Sequence, residues 1–173
     1  ELWYSEDIMA FNFIELDKQV LPKTKGKRID GFRFYNIDGK NYPSITTVLG
    51  IRKTEQLKGW REKIGENVAN WEMGRAARRG KSFHTLVEQY IKGETPSIRD
   101  VLPLGLFKLL KPYIDQIDNI HLLEAIMYSK KLTVAGQVDC VAEYNGKLSV
   151  IDFKTANKER QEDWIDNYFL QTT

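Results

Sequence analysis

Between Gly136 and Thr155 the chain reads GQVDCVAEYNGKLSVIDFKT, and the Asn145-Gly146 pair near its centre leaves the flanking residues little choice of partner. Both residues tolerate the positive φ that a two-residue type I′ turn requires, so the segment predicts a β-hairpin of fixed register. Tyr144 then faces Lys147, Asp139 faces Asp152, and Gln137 faces Lys154. Opposed side chains share a face, which sets the two aspartates roughly 4.5–5.5 Å apart at Cβ. Lys154 lies on that same face, because side chains repeat every second residue.

Two like charges this close repel by roughly 3 kcal/mol at an effective dielectric of about 20. Protonation of one carboxylate, a neighbouring cation, or a divalent metal between the two would each relieve that repulsion. The neighbours Val138, Val141, Leu148, Val150 and Ile151 are apolar, so the pair is expected at the edge of a core. Geometry alone leaves two readings open: a salt-bridged surface hairpin in which Lys154 offsets both acids, or a metal site.

At 173 residues with 42% apolar content the chain has the length and composition of one intracellular globular domain. Cys140 is the only cysteine, which excludes an intrachain disulfide and a four-cysteine iron–sulfur cluster. No apolar run approaches membrane-spanning length, so no membrane association is expected. The net charge of +2 says little about partners.

Short aromatic and β-branched runs at residues 11–16 and 32–37 predict strands, the second ending in an Asp38-Gly39 turn. The basic stretch from Pro22 to Arg28 reads as a solvated loop. In YPSITTVLG, Tyr42 to Gly50, Ser44 is placed to cap a helix. Residues 55–93 are helical in pattern, punctuated by Gly65, Gly74 and Gly80, and Pro96 and Pro103 bracket a loop. A helix over about residues 104–117, a strand over 122–128 and a C-terminal helix from Glu162 complete the expected elements.

The helical segment KSFHTLVE, Lys81 to Glu88, sets His84 and Glu88 one turn apart beside an apolar stripe of Phe83, Leu86, Val87, Tyr90 and Ile91. Such a pair is either helix-surface decoration or part of a metal or phosphate site, both suited to imidazole and carboxylate. Just before it cluster Arg75, Arg78, Arg79 and Lys81, read as a phosphate track or as a solvated basic face. Ser44, Thr46 and Thr47 are candidate phosphate donors or simple caps. Tyr42, Trp60 and Trp71 are candidate stacking platforms for unpaired bases, or core.

Asp139 followed by Asp152-Phe153-Lys154 resembles the acid and acid-x-lysine elements of the PD-(D/E)xK nuclease superfamily, with Val138 where the superfamily loosely keeps a proline. His84, following Gly80-Lys81-Ser82-Phe83, resembles the histidine of its RecB-like exonuclease branch. YPSITTVLG, KSFHTLVE and the hairpin are also similar, in order and spacing, to the family of mitochondrial genome maintenance exonucleases and their phage relatives. The resemblance implies an α/β, restriction-endonuclease-like core with a central mixed sheet flanked by helices and a helical DNA-engaging region.

The resemblance further implies a monomeric, Mg2+-dependent exonuclease, with Mn2+ as a substitute, acting on single-stranded DNA that has a free end. Asp139, Asp152, Lys154 and His84 would be catalytic, and Asp139, Asp152, the Phe153 carbonyl, His84 and Glu88 would hold the metal. Ser44, Thr46, Arg75, Arg78, Arg79, Lys81 and Gln171 would contact DNA. Gln171 fits the first position of a Gln–Tyr pair that RecB-like nucleases carry after the lysine strand. The chain stops before the second, so residues 1–173 are expected to be one nuclease domain with an incomplete C-terminal part. The location follows the source, a phage-infected bacterial cytoplasm or a mitochondrial matrix. A structure-specific or duplex endonuclease and a catalytically silent nucleic-acid-binding module are the alternatives.

Overall fold

The computed structural model describes residues 11–15, 21–51, 54–95, 97, 100–156 and 166–172. The chain divides into two compact units, one made of Asp17–Asn70, Ala125–Val138 and Lys158–Thr173, the other of Glu1–Leu16, Trp71–Glu124 and Asp139–Asn157.

In the first of these, β1 (Lys27–Ile29), β2 (Phe32–Ile37) and β3 (Lys40–Pro43) form an antiparallel meander. Both connections are Asp-Gly pairs in the left-handed region, φ 51° and 83° at Asp30 and Gly31 and φ 51° and 78° at Asp38 and Gly39. Tyr35 pairs with Tyr42, and together with Ile37 and Ala135 these rings are buried, with Ile126 and Tyr128 packed against them. Tyr42 and Tyr128 meet edge to face with centroids 5.5 Å apart. The basic stretch read as a loop thus contributes Lys27 and Arg28 to a strand. An edge strand exposed on both faces shows no alternation, and its charges protect the open edge from further pairing.

Ser44 caps α1 (Ile45–Gly50), its hydroxyl accepting from the Thr47 N–H at 3.0 Å. Its own N–H donates to the Arg33 carbonyl at 2.8 Å, and it bridges Ala135 in parallel fashion. Gly136 follows that bridge, and a Cβ there would stand 3.1 Å from Ile45 Cγ2, so the seat of α1 favours glycine. After α2 (Thr54–Ile64), Gly65 at φ 84° breaks the helix before α3 (Glu66–Ile91).

The other unit takes α3 from Trp71 onward, α4 (Val101–Ile114), β4 (Ile117–Ser129) as far as Glu124, β5 (Val134–Tyr144) from Asp139, and β6 (Lys147–Ile151). The predicted stripe of α3 (Phe83, Leu86, Val87, Tyr90, Ile91) forms the buried core with Phe107, Ile114, Ile117, Ile120, Cys140, Ala142 and Phe153. Tyr90 satisfies its hydroxyl by donating to Asp115 Oδ1 at 2.5 Å, and the other oxygen of that carboxylate accepts from Lys111 at 2.7 Å. Pro103 sits in the first turn of α4, where a missing N–H leaves no intrahelical bond unmade, so the helix begins earlier than the prolines suggest.

Among the described residues the strands fall into two three-stranded antiparallel sheets, β1-β2-β3 and β4-β5-β6, set among helices in an α/β arrangement. Among the described residues, parallel pairing outside the named strands is confined to the isolated bridges Phe13↔Ile120 and Ser44↔Ala135. The run at residues 11–16 accordingly pairs at a single position, and Leu16 lies outside the described residues. Of the C-terminal helix, α5 (Asp166–Thr172) is described, and its expected start at Glu162 is not among the described residues.

Phe83→Ala is expected to lower unfolding free energy by about 3–5 kcal/mol, and Leu86→Ala by about 2–5 kcal/mol, in denaturant titrations. Leu109→Ala, whose side chain is exposed, should stay within about 0.5 kcal/mol of wild type.

Candidate active site

The Asn145-Gly146 turn, with φ 51° and 73°, sets the β5–β6 register as the sequence dictates: Tyr144↔Lys147 through Cys140↔Ile151. The ladder ends there. One residue further, Asp139 does not simply oppose Asp152; its Oδ2 accepts from the Phe153 N–H at 2.7 Å. The carboxylate replaces the next rung of the ladder and ties the strand end carrying Asp152, Phe153 and Lys154 to β5.

The other oxygen of Asp139 lies 3.4 Å from His84 Nδ1, and Glu124 Oε1 lies 3.8 Å from that same nitrogen. α3 presents His84 because Phe83 is anchored at full burial beside it, and the imidazole meets Phe153 edge to face with centroids 6.4 Å apart. Glu124 reaches the cluster from a strand position whose φ is 50°, a left-handed kink inside β4. The expected partner on the helix, Glu88, instead accepts from Lys92 at 2.6 Å, one turn further along α3. That is the ordinary i, i+4 ion pair of a helix surface. Glu124 was not assigned from sequence, although it is the one charged residue in the apolar run Leu122–Tyr128, and an acid there is the available signal.

The electrostatics follow from this crowding. Hydrogen bonding to Asp139 and then to Glu124 outweighs burial and holds the His84 imidazolium up to about 10. Asp152 is raised above the usual carboxylate range, first by burial and also by Asp139, while Lys154, at 2.5 Å from Asp152 Oδ1, pulls the other way. Cys140 is pushed up to about 12, chiefly by burial, which makes it a packing residue and not a nucleophile.

His84, Glu124 and Asp139 each offer a ligand atom, all within 4.8 Å of one another. Ligands on an octahedral ion at about 2.1 Å stand about 3 Å apart when adjacent and about 4.2 Å when opposed, so modest contraction brings the three into one shell. The carboxylate oxygens suit Mg2+ or Mn2+, and the imidazole beside them is a better ligand for a transition ion such as Mn2+ than for Mg2+. The donor set fits such an ion.

The remaining expected contacts are distributed more widely. Arg75 lies over the Trp71 ring, 5.1 Å from its centroid, and both are exposed, as are Arg78 and Lys81. Arg79 is buried, not part of an exposed track. Ser44 is buried and bonded to Thr46 and Thr47 hydroxyls, the capping alternative, while Thr46 itself is exposed. Tyr42 is core, Trp60 is partly exposed, and Gln171 lies in α5.

A folded-state value near 10 against an ordinary 6.5 makes His84 stabilising below pH 6.5, and that contribution is lost as pH rises through 10. Metal-free protein should therefore melt progressively lower between those limits, and His84→Gln should flatten the profile.

No family model matches the chain. Mitochondrial genome maintenance exonuclease 1 of Homo sapiens is 32% identical over 142 residues, covering 76% of this chain and 39% of that protein. The protein of the same name from Mus musculus is 29% identical over 128 residues, 68% of this chain and 38% of its own length. The Xenopus tropicalis protein is 28% identical over 141 residues, 72% of this chain and 40% of its own. The chain spans about two fifths of the length of these curated relatives. It is homologous to mitochondrial genome maintenance exonuclease 1 across roughly seven tenths of its own sequence.

Proposed function

We propose that this chain carries the nuclease site of a metal-dependent DNA exonuclease of the PD-(D/E)xK superfamily, RecB-like branch, acting on single strands with a free end. The observation that supports it most is the convergence of His84, Glu124 and Asp139 beside the strand end bearing Asp152 and Lys154. Homology to proteins named as exonucleases supports the same reading, and their names make the mitochondrion the compartment to examine. Among the described residues no helix is long and apolar enough to cross a membrane.

In this reading Asp139, Asp152, Glu124, His84 and the Phe153 carbonyl hold Mg2+ or Mn2+. The bound ion supplies Lewis acidity to the scissile phosphate and to the attacking water. Asp152 steers the Lys154 ammonium, which donates to the phosphate oxygen where charge accumulates or to the nucleophilic water. In the ion-free protein the His84 imidazolium offsets the flanking carboxylates. Arg75, Arg78 and Lys81 on the exposed side of α3 neutralise backbone phosphates, and the Trp71 ring offers an unpaired base a surface to stack on.

The test is hydrolysis of labelled linear single strands, single-stranded circles and blunt duplexes with Mg2+, Mn2+ or chelator. Linear single strands should be degraded only with metal, circles should survive, and duplexes should be cut slowly. Efficient cutting of circles would replace this reading with the endonuclease one, and no cutting with either metal would leave a binding module. Lys154→Ala should lower turnover about 10²–10³-fold while leaving DNA affinity nearly unchanged.

Asp139→Asn and Asp152→Asn should each abolish cleavage and shrink the rise in melting temperature that Mg2+ gives wild type. Without metal, Asp152→Asn should melt no lower than wild type, since burial disfavours its charge. Wild-type activity in either variant would contradict the assignment.

A further inference from the structure

Arg79 is 9% exposed, and its Nε is sealed from solvent with no hydrogen-bond partner. Among the described residues no carboxylate pairs with its guanidinium. It continues the buried face of α3 that carries Phe83 and Val87, whereas the cations beside it in sequence, Arg78 and Lys81, are exposed. A guanidinium cannot escape burial by losing its proton, and a buried cation without a counter-charge is strongly unfavourable. Its neighbours in sequence, Arg75, Arg78 and Lys81, are cations as well. Such a group is poised for an anion that arrives from outside.

Its place on the helix says which anion. Gly80, the next residue, stands against Thr155: a Cβ there would lie 3.8 Å from the Thr155 Oγ1. The helix therefore runs past the chain directly after Lys154 with no side chain of residue 80 between them. His84 lies five residues on, roughly 7.5 Å along the helix axis. Phosphate oxygens suit the planar fork of arginine, which presents parallel N–H groups to two of them.

Resting on the nuclease reading above, we propose that Arg79 is a buried phosphate anchor that holds one phosphate group of the DNA strand beside the metal-holding cluster. The phosphate is either an internal phosphodiester or a terminal phosphomonoester. It differs in kind from the exposed Arg75, Arg78 and Lys81, whose contacts are screened and exchangeable. A single seated phosphate would fix the strand's advance relative to the site, a positioning role and not a chemical one.

Binding of single-stranded oligonucleotides carrying a 5′-phosphate or a 5′-hydroxyl, measured by fluorescence anisotropy with Ca2+ replacing Mg2+ across a salt series, tests this. Arg79→Met should weaken binding about 10- to 100-fold and flatten the slope of log affinity against log salt by about 0.7. It should also remove the rise in melting temperature that inorganic phosphate gives wild type. A loss confined to the 5′-phosphorylated strand identifies the terminal group, and an equal loss on both identifies an internal phosphodiester.

Unchanged affinity and slope in Arg79→Met would overturn the proposal, whatever happens to its melting temperature. If that variant does not fold, Arg79→Lys decides: it keeps the charge and loses the fork, so the salt slope should persist while affinity falls about tenfold. Wild-type affinity in the lysine variant rejects the anchor. Failure of the broader reading looks different, because wild type would then cleave no DNA with either metal while the phosphate-dependent stabilisation still vanished in Arg79→Met.

Discussion

The hydrogen bond from the Phe153 N–H to Asp139 Oδ2, at 2.7 Å, is the contact on which the site depends. It lies one residue beyond the last backbone rung of the β5–β6 ladder, where the strand end would otherwise fray. By substituting a carboxylate for a carbonyl, the chain gains a charge-assisted bond and fixes three chemically distinct groups at once: the acid of Asp152, the carbonyl of Phe153 and the ammonium of Lys154. Phe153 completes the arrangement by burying its ring in the core, so packing and hydrogen bonding hold the same residue from two sides.

This placement carries an electrostatic debt that the surroundings must offset. Asp139, Asp152 and Glu124 crowd a partly buried volume, and burial raises Asp152 above its ordinary range. Two side chains offset the crowding in the ion-free protein: Lys154 against Asp152, and the His84 imidazolium against Asp139 and Glu124. A divalent ion would serve the same electrostatic purpose with more charge in less space. Three carboxylates thus face two protein cations, Lys154 and His84.

Legibility from sequence tracked the range of the interactions. The Asn145-Gly146 turn, the Asp38-Gly39 turn, the Ser44 cap and the apolar stripe of α3 are local and were readable, because each depends on residues within a few positions. Strand β1 was not, since Lys27-Arg28-Ile29 is exposed on both faces and shows no alternation. Glu88 was the natural companion of His84 on helical spacing, yet the structure seats Glu124 there, a helix-to-strand contact spanning some forty residues. Periodicity within one element cannot report such a contact, and the left-handed φ at Glu124 hides it further. Arg79 shows the same limit: in sequence it belongs to one basic cluster with Arg75, Arg78 and Lys81, whereas packing buries it and leaves Arg75 over Trp71.

The central claim is that Asp139, Asp152, His84 and Glu124 form a cation site and not a self-contained salt-bridge cluster. Anomalous diffraction from crystals soaked in Mn2+ tests it most directly. The account predicts a manganese peak bounded by Asp139 and Asp152 oxygens with His84 or Glu124 completing the protein ligands, and its loss in Asp139→Asn crystals. An empty cluster in wild-type crystals, with the His84–Asp139 and Lys154–Asp152 contacts intact at saturating Mn2+, would contradict it.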